Sequence, residues 1–435
     1  MSIRHINYLI LFYLILFLSI INIVSTGSLK IFNAIIFLFL LTSSILLILR
    51  SKEFNIINFI SNKTLKPFVL ISLFLFLNLI SYSRGISLSY LSFNWIINWI
   101  LLWSALFLFI FQLFSYELSL SYFHSIYIKL YNSLYLYIII NLIFFLLGFN
   151  QANNIYGDHF HPSKILEYFG VEWSRTLYPL APGINSFGVI LGLSFLSSFI
   201  IMLNQQKYLY KLSYFIIFII SFFMLLTVDS RGPIIISFIL IVLHSFKWMY
   251  KYFKYILIIV PILPALLVFI TYNLDTEIFD YFRRSNLLLG GREVLWFEFY
   301  TYFKNFSFMH FFGYGIFGQA ASGISSNYTY LFTWEVMNPE LITLHNTVLQ
   351  TITDIGFIGI SILLWLLYLM IDYFTSIINK NLLLDNVAIK VALFSLIYLV
   401  LIGATEVSIN VYNFYTFYIF VFTCFYFLFL KKVFQ

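Results

Sequence analysis

The sequence predicts an all-α protein, a polytopic membrane helical bundle of about twelve transmembrane helices with N- and C-termini cytoplasmic, and three observations carry that expectation. Hydrophobic residues make up 62% of the 435 and charged residues only 9%. Apolar runs of about 20 residues, the length that crosses a hydrocarbon core, recur along the whole chain. Lysines fall at alternate ends of those runs, as the positive-inside rule requires. The whole chain, 1–435, is read as a single membrane domain.

The spans are expected at 6–24, 31–49, 67–81, 92–112, 131–148 and 183–203, then at 212–228, 233–248, 255–273, 347–372, 390–409 and 412–430. The first holds roughly 18 apolar residues after Arg4 and His5, more than a signal-peptide core, and no clear small-residue cleavage site follows, so it is expected to be retained. Cys424 is the single cysteine, which excludes an intramolecular disulfide and a cysteine metal site.

With the N-terminus inside, Arg50, Lys52, Lys63, Lys66, Lys129, Lys207, Lys211, Lys247, Lys251, Lys254, Lys380, Lys390, Lys431 and Lys432 all fall in the cytoplasm. The net charge of +7 is then a topology signal and an attraction to anionic lipid. No basic stripe of the kind that reads nucleic acid is present, so nucleic acid is not an expected partner. Arginine behaves differently from lysine: Arg84, Arg175, Arg231, Arg283, Arg284 and Arg292 fall outside. A guanidinium stays charged in a partly dry site and grips phosphate with two parallel hydrogen bonds, so an external arginine cluster suggests a phosphate-bearing ligand. Arginines that snorkel to headgroups would give the same count, residue by residue.

Two external loops are long, 149–182 and 273–338. The first carries Asp158, His159 and His161; a His-x-His pair alone is a weak metal signal, and no metal is expected. The second passes Arg283 and Arg284 to Gly291-Arg292, after which Trp296, Phe299, Tyr300 and Phe303 recur at helical spacing, as in a helix lying in the membrane interface. Gly313-Tyr314-Gly315-Ile316-Phe317-Gly318 spells a dinucleotide-binding string, but no strand precedes it; tight turning back towards the membrane is the better use of its glycines. The order Asn338-Pro339-Glu340 predicts a helix start, with the helix running to about Phe374 and its first two turns standing on the external rim. That places His345 and Asn346 beside the arginines, where a histidine could act as a general base. Asp229 could orient Arg231, while Asp372 and Glu406 read as end-of-helix residues.

The run Leu344-His345-Asn346-Thr347-Val348-Leu349-Gln350, with Asp354-Ile355-Gly356-Phe357-Ile358-Gly359 after it, resembles the signature of the O-antigen polymerase and O-antigen ligase superfamily. Ser230-Arg231-Gly232, Gly291-Arg292 followed by Trp296, and Gly313-Tyr314-Gly315 resemble its other landmarks in the same order, over roughly Leu212 to Phe374. Asp354 stands where many members carry glutamate. The resemblance implies a GT-C-like helical fold and a metal-independent, cofactor-free, inverting glycosyltransfer at the outer face of the bacterial cytoplasmic (inner) membrane. The donor would be an undecaprenyl-diphosphate-linked glycan and the acceptor a hydroxyl on a second glycan, with a chain-length regulator and a flippase as further partners. Carried onto this chain, Arg231 and Arg292 would hold the diphosphate and His345 would activate the hydroxyl; Arg175, Arg283, Arg284 and Asn346 are further candidates for substrate binding. A polysaccharide polymerase, for O-antigen or capsule, is the first expectation; a ligase acting on lipid A core is the second, and a lipid-linked oligosaccharide flippase is the alternative of another class.

Overall fold

The computed structural model describes residues 62–90, 120–149, 163–273, 291–332, 338–379, 387–410 and 413–434. The spans expected at 6–24, 31–49 and 92–112 lie outside the described residues, as do His159, His161, Arg283 and Arg284.

Among the described residues the architecture is helical. The long elements are α1 (Asn62–Ser87), α2 (Leu120–Leu146), α3 (Ile184–Asn204), α4 (Tyr208–Val228), α5 (Arg231–His244), α6 (Ile256–Asn273), α7 (Arg292–Phe303), α8 (Thr347–Asn379), α9 (Val387–Ile402) and α10 (Phe414–Val433). A 3-10 helix, Lys247–Tyr255, leads into α6. Seven helical stretches among the described residues are long and apolar enough to cross a membrane, and α5 and α9 are shorter apolar helices. Each lies on a span that the hydropathy predicts, so the chain is a multi-pass helical membrane protein.

Helices α3, α9 and α10 form the centre: their apolar side chains are buried almost throughout, whereas α4 and α6 leave most of theirs open to the surroundings. α3 packs on α4, α5 and α9, while α8 packs on α1 and α9. Tyr398 of α9 ties into α3 by donating to Val189 O at 2.9 Å. The bundle is therefore held by close helix–helix packing with a few polar ties, as lipid solvation of the outer faces requires.

Two deviations from the expected helices matter for the site. Asn338-Pro339-Glu340 starts only a single 3-10 turn, Pro339–Leu341, and not the long helix. The chain then runs non-helically to His345, and α8 begins at Thr347, capped by Asn346, whose Oδ1 accepts from Leu349 N at 2.9 Å. His345 thus precedes the helix instead of riding on its first turns. Further along, Gly356 breaks α8 with φ 74°, and a Cβ there would sit 2.1 Å from Phe311 O. Only glycine admits both that backbone and that approach. The expected use of Gly313 and Gly315 is realised at this break: both have positive φ, and Tyr314 N and Gly315 N donate to Thr353 O and Asp354 O.

The candidate active site

Four separate segments converge at one end of the bundle, and each is shaped by a local feature of the sequence. α4 ends at Val228 with Asp229 in the left-handed region, φ 51°, which turns the chain sharply so that Ser230 immediately precedes α5 and Arg231 is its first residue. Gly188 of α3 allows this turn to settle on the bundle, because a Cβ there would meet Ser230 Oγ at 2.3 Å. Gly291, also left-handed, starts α7 with Arg292 at its first position. His345 has φ 48° immediately before the Asn346 cap. α9 stops at Ile402, and Gly403 to Asn410 form an irregular segment that carries Glu406. Two of the non-glycine residues with positive φ, Asp229 and His345, belong to this cluster, and strained backbone of this kind concentrates at functional sites.

The irregular segment is stitched to the start of α8. Thr347 N donates to Gly403 O at 2.7 Å, Asn346 Nδ2 donates to Ala404 O at 2.7 Å, and Ser408 N donates to Thr347 Oγ1 at 2.8 Å. Those bonds fix Glu406 beside His345. Its Oε2 lies 3.1 Å from His345 Nδ1, and its Oε1 accepts a charge-assisted hydrogen bond from Arg292 Nη2. One carboxylate therefore joins the arginine and the histidine that the motifs single out. The apolar run 390–409 predicts a continuous span with Glu406 as an end-of-helix residue; Gly403-Ala404-Thr405 ends the helix early instead. The signal that could have found it is an acid inside an apolar run, which costs too much to bury without a partner.

Arg231 forms an ion pair with Asp229, Nε lying 3.7 Å from Oδ1. Arg175, in the segment leading to α3, donates from Nε to Val228 O at 3.2 Å and from Nη2 to Asn185 Oδ1 at 3.3 Å. Burial lowers the pKa of the Arg175 guanidinium; Asp229 and Glu406 raise it, and Arg292 and Arg231 lower it further, so these groups share one electrostatic field. Burial also pushes the Glu406 carboxyl up, but Arg292, then His345 and then Arg175 outweigh it and hold its pKa below the usual 4.5. The carboxylates lie deep, with Glu406 at 10% side-chain exposure and Asp229 at 0%, while Arg231, Arg292 and His345 stay between 25% and 29% open. Arg231, Arg292 and His345 are thus held from beneath by carboxylates and stay partly exposed above.

The other expected residues divide. Asn346 is fully buried, its Nδ2 donating to Ala404 O and its Oδ1 accepting from Leu349 N, so it caps α8 and holds the 403–408 turn. Arg84 donates to Gly313 O at 2.7 Å, away from this cluster in its bonding. Trp296 of α7 turns into the protein, fully buried, with Nε1 donating to Leu344 O at 2.8 Å. Asp354, the departure from glutamate, is also buried and satisfied: it accepts from Gly318 N and Gln350 Nε2 on Oδ1 and from Asn410 Nδ2 on Oδ2. Among the described residues no group of three or more His, Cys, Asp or Glu could hold a metal ion.

Residues 215–364 match the model of a family described as O-antigen ligase. This match supports the resemblance of residues 215–364 to the O-antigen polymerase and O-antigen ligase superfamily. The matched region holds Arg231, Arg292 and His345, whereas Arg175 and Glu406 lie outside it and join the site through the fold. No curated protein and no solved structure matches the chain.

Proposed function

We propose that this chain is a glycan polymerase. It transfers an undecaprenyl-diphosphate-linked glycan, with inversion, to a hydroxyl on another lipid-linked repeat unit at the outer face of the bacterial cytoplasmic membrane. The observation that carries the reading is the single carboxylate of Glu406 shared between Arg292 and His345.

The chemistry follows from that arrangement. With Nδ1 donating to Glu406, the His345 imidazole presents Nε2 as a base. The acceptor hydroxyl oxygen attacks the anomeric carbon as its proton passes to Nε2. The anomeric carbon–oxygen bond to the diphosphate breaks, and that electron pair leaves on the diphosphate oxygen. Arg231, Arg292 and Arg175 bind the diphosphate and stabilise the charge that grows on it, with Arg283 and Arg284 as further ligands from the same long loop. Glu406 stabilises the imidazolium formed, as a buried carboxylate does behind a general-base histidine. Cationic side chains can carry the leaving-group charge, so no cofactor is invoked.

Polymerisation is favoured over ligation because the signature carries nothing specific to a lipid A core or a protein acceptor. A flippase fits less well. Transporters gather ionisable groups near mid-membrane, whereas Arg231 and Arg292 open their helices, and His345 and Glu406 sit in the turns beside α8 and α9.

The test uses the full chain in nanodiscs with a lipid-diphosphate-linked repeat unit. A ladder of longer lipid-linked glycans without added acceptor is expected. Transfer only after lipid A core is supplied would make the protein a ligase. Lipid movement across the bilayer with no transfer to any acceptor would overturn the enzyme reading.

A further inference from the structure

His345 acts from a left-handed backbone that a β-substituted side chain adopts only when its surroundings impose it. What imposes it lies one residue earlier. The non-helical run Ile342 to Leu344 is held by buried side chains from three directions. Gln319 Nε2 and Tyr328 Oη both donate to Ile342 O at 3.1 Å. Leu344 N donates to Gln350 Oε1 at 2.9 Å, and Leu344 O accepts from Trp296 Nε1 at 2.8 Å. The peptide groups flanking Leu344 are therefore gripped on both sides, from α8 and from the helix that begins with Arg292.

Gln350 is itself pinned. It is fully buried, and its Nε2 donates to Gln319 Oε1 at 2.8 Å and to Asp354 Oδ1 at 2.9 Å. With both amide protons committed, Oε1 can only face Leu344 N, so the amide cannot flip without stranding buried donors. The chain of contacts runs Asp354, Gln350, Leu344, His345, Glu406, from the α8 break to the proposed reacting group.

We propose that Gln350 is a positioning residue for His345, with Trp296 as its counterpart on the opposite face of the same peptide segment. Together they set the His345 backbone so that Nδ1 meets Glu406 and Nε2 faces the substrate side. Gln350 touches no reactant. This inference rests on the glycosyltransfer reading for its kinetic consequence, but its geometric content can be read without any reaction.

The experiment compares wild type, Gln350→Leu and Trp296→Phe in nanodiscs, with 15N-histidine labelling and a His345→Gln control to assign the His345 imidazole resonance. Thermal unfolding and monodispersity report folding. Both variants are expected to remain folded and to lose the hydrogen-bonded Nδ1 signature of His345. In the polymerisation assay Gln350→Leu is expected to lower kcat by about 10-fold with KM for the lipid-linked donor unchanged, and Trp296→Phe by less, since one hydrogen bond to the segment is lost in each. If Gln350→Leu does not fold, Trp296→Phe decides the question alone. A folded variant whose His345 signature and kcat equal those of wild type would overturn the proposal. If wild type itself transfers no glycan, the functional reading fails while the imidazole signature still reports on positioning.

Discussion

The two ends of the bundle treat their cations differently. At the arginine end, Arg292 and His345 close on a carboxylate that is almost fully buried, and Arg175 and Arg231 share its field. At the other end, Lys254 pairs with Asp372 at 3.0 Å, but with side chains 30% and 51% exposed. There Lys66 and Lys431 lie over the rings of Trp365 and Tyr373, at 4.4 Å and 5.6 Å. The lysine contacts are those of long side chains resting on interfacial aromatics with their charge towards water. The arginine contacts take a desolvation cost that topology does not require. A charge set that only orients a helix bundle has no reason to be buried and paired, and this difference is what supports the proposed site.

From this contrast, substitutions at the two ends are expected to differ in kind. The largest effect is expected for His345→Ala, a loss of about 10²–10⁴-fold in kcat from removal of the base. Glu406→Gln keeps the shape but not the charge, and should cost about 10²-fold while leaving donor KM nearly unchanged. Arg292→Lys is expected to lose about 10-fold, because an ammonium cannot reproduce the two-point grip on phosphate or carboxylate. Lys254→Gln, at the other end, should leave the transfer rate within about twofold of wild type, as exposed ion pairs contribute little. An equal loss from the lysine and arginine substitutions would erase the comparison.

The pH dependence sharpens it further. The folded Glu406 carboxyl titrates below the ordinary 4.5, so its contribution to stability is complete above that value and is lost as pH falls through the lower folded value. Thermal stability of wild type should therefore be level down to about pH 5 and decline only below it, and Glu406→Gln should remove part of that acid-side decline.

Several residues of the candidate cluster stood out in the sequence by residue type. Arg231, Arg292 and His345 stood in recognisable runs, and Arg175 stood out as an arginine where lysine and topology gave no reason for one. Among the described residues, span positions were readable too, because a length of apolar sequence is a direct demand of the bilayer. What escaped were departures from regular helix. Hydropathy carries α9 straight through Glu406, and only the Gly403-Ala404-Thr405 turn reveals that the chain leaves the helix there. Likewise Asn338-Pro339-Glu340 has the local order of a helix start, yet long-range bonds from Gln319, Tyr328, Gln350 and Trp296 hold the following residues non-helical. Local preference lost to tertiary contacts that no single run of sequence displays. The break at Gly356 was equally silent, although Gly356→Ala is expected to cost at least about 1–3 kcal/mol in thermal unfolding, from its strained backbone and its contact with Phe311 O.

The most direct measurement is glycan elongation by the purified chain in nanodiscs, wild type against His345→Ala and Glu406→Gln, with folding monitored in parallel. The account predicts a product ladder from wild type and almost none from either folded variant. Undiminished elongation by both variants would contradict it.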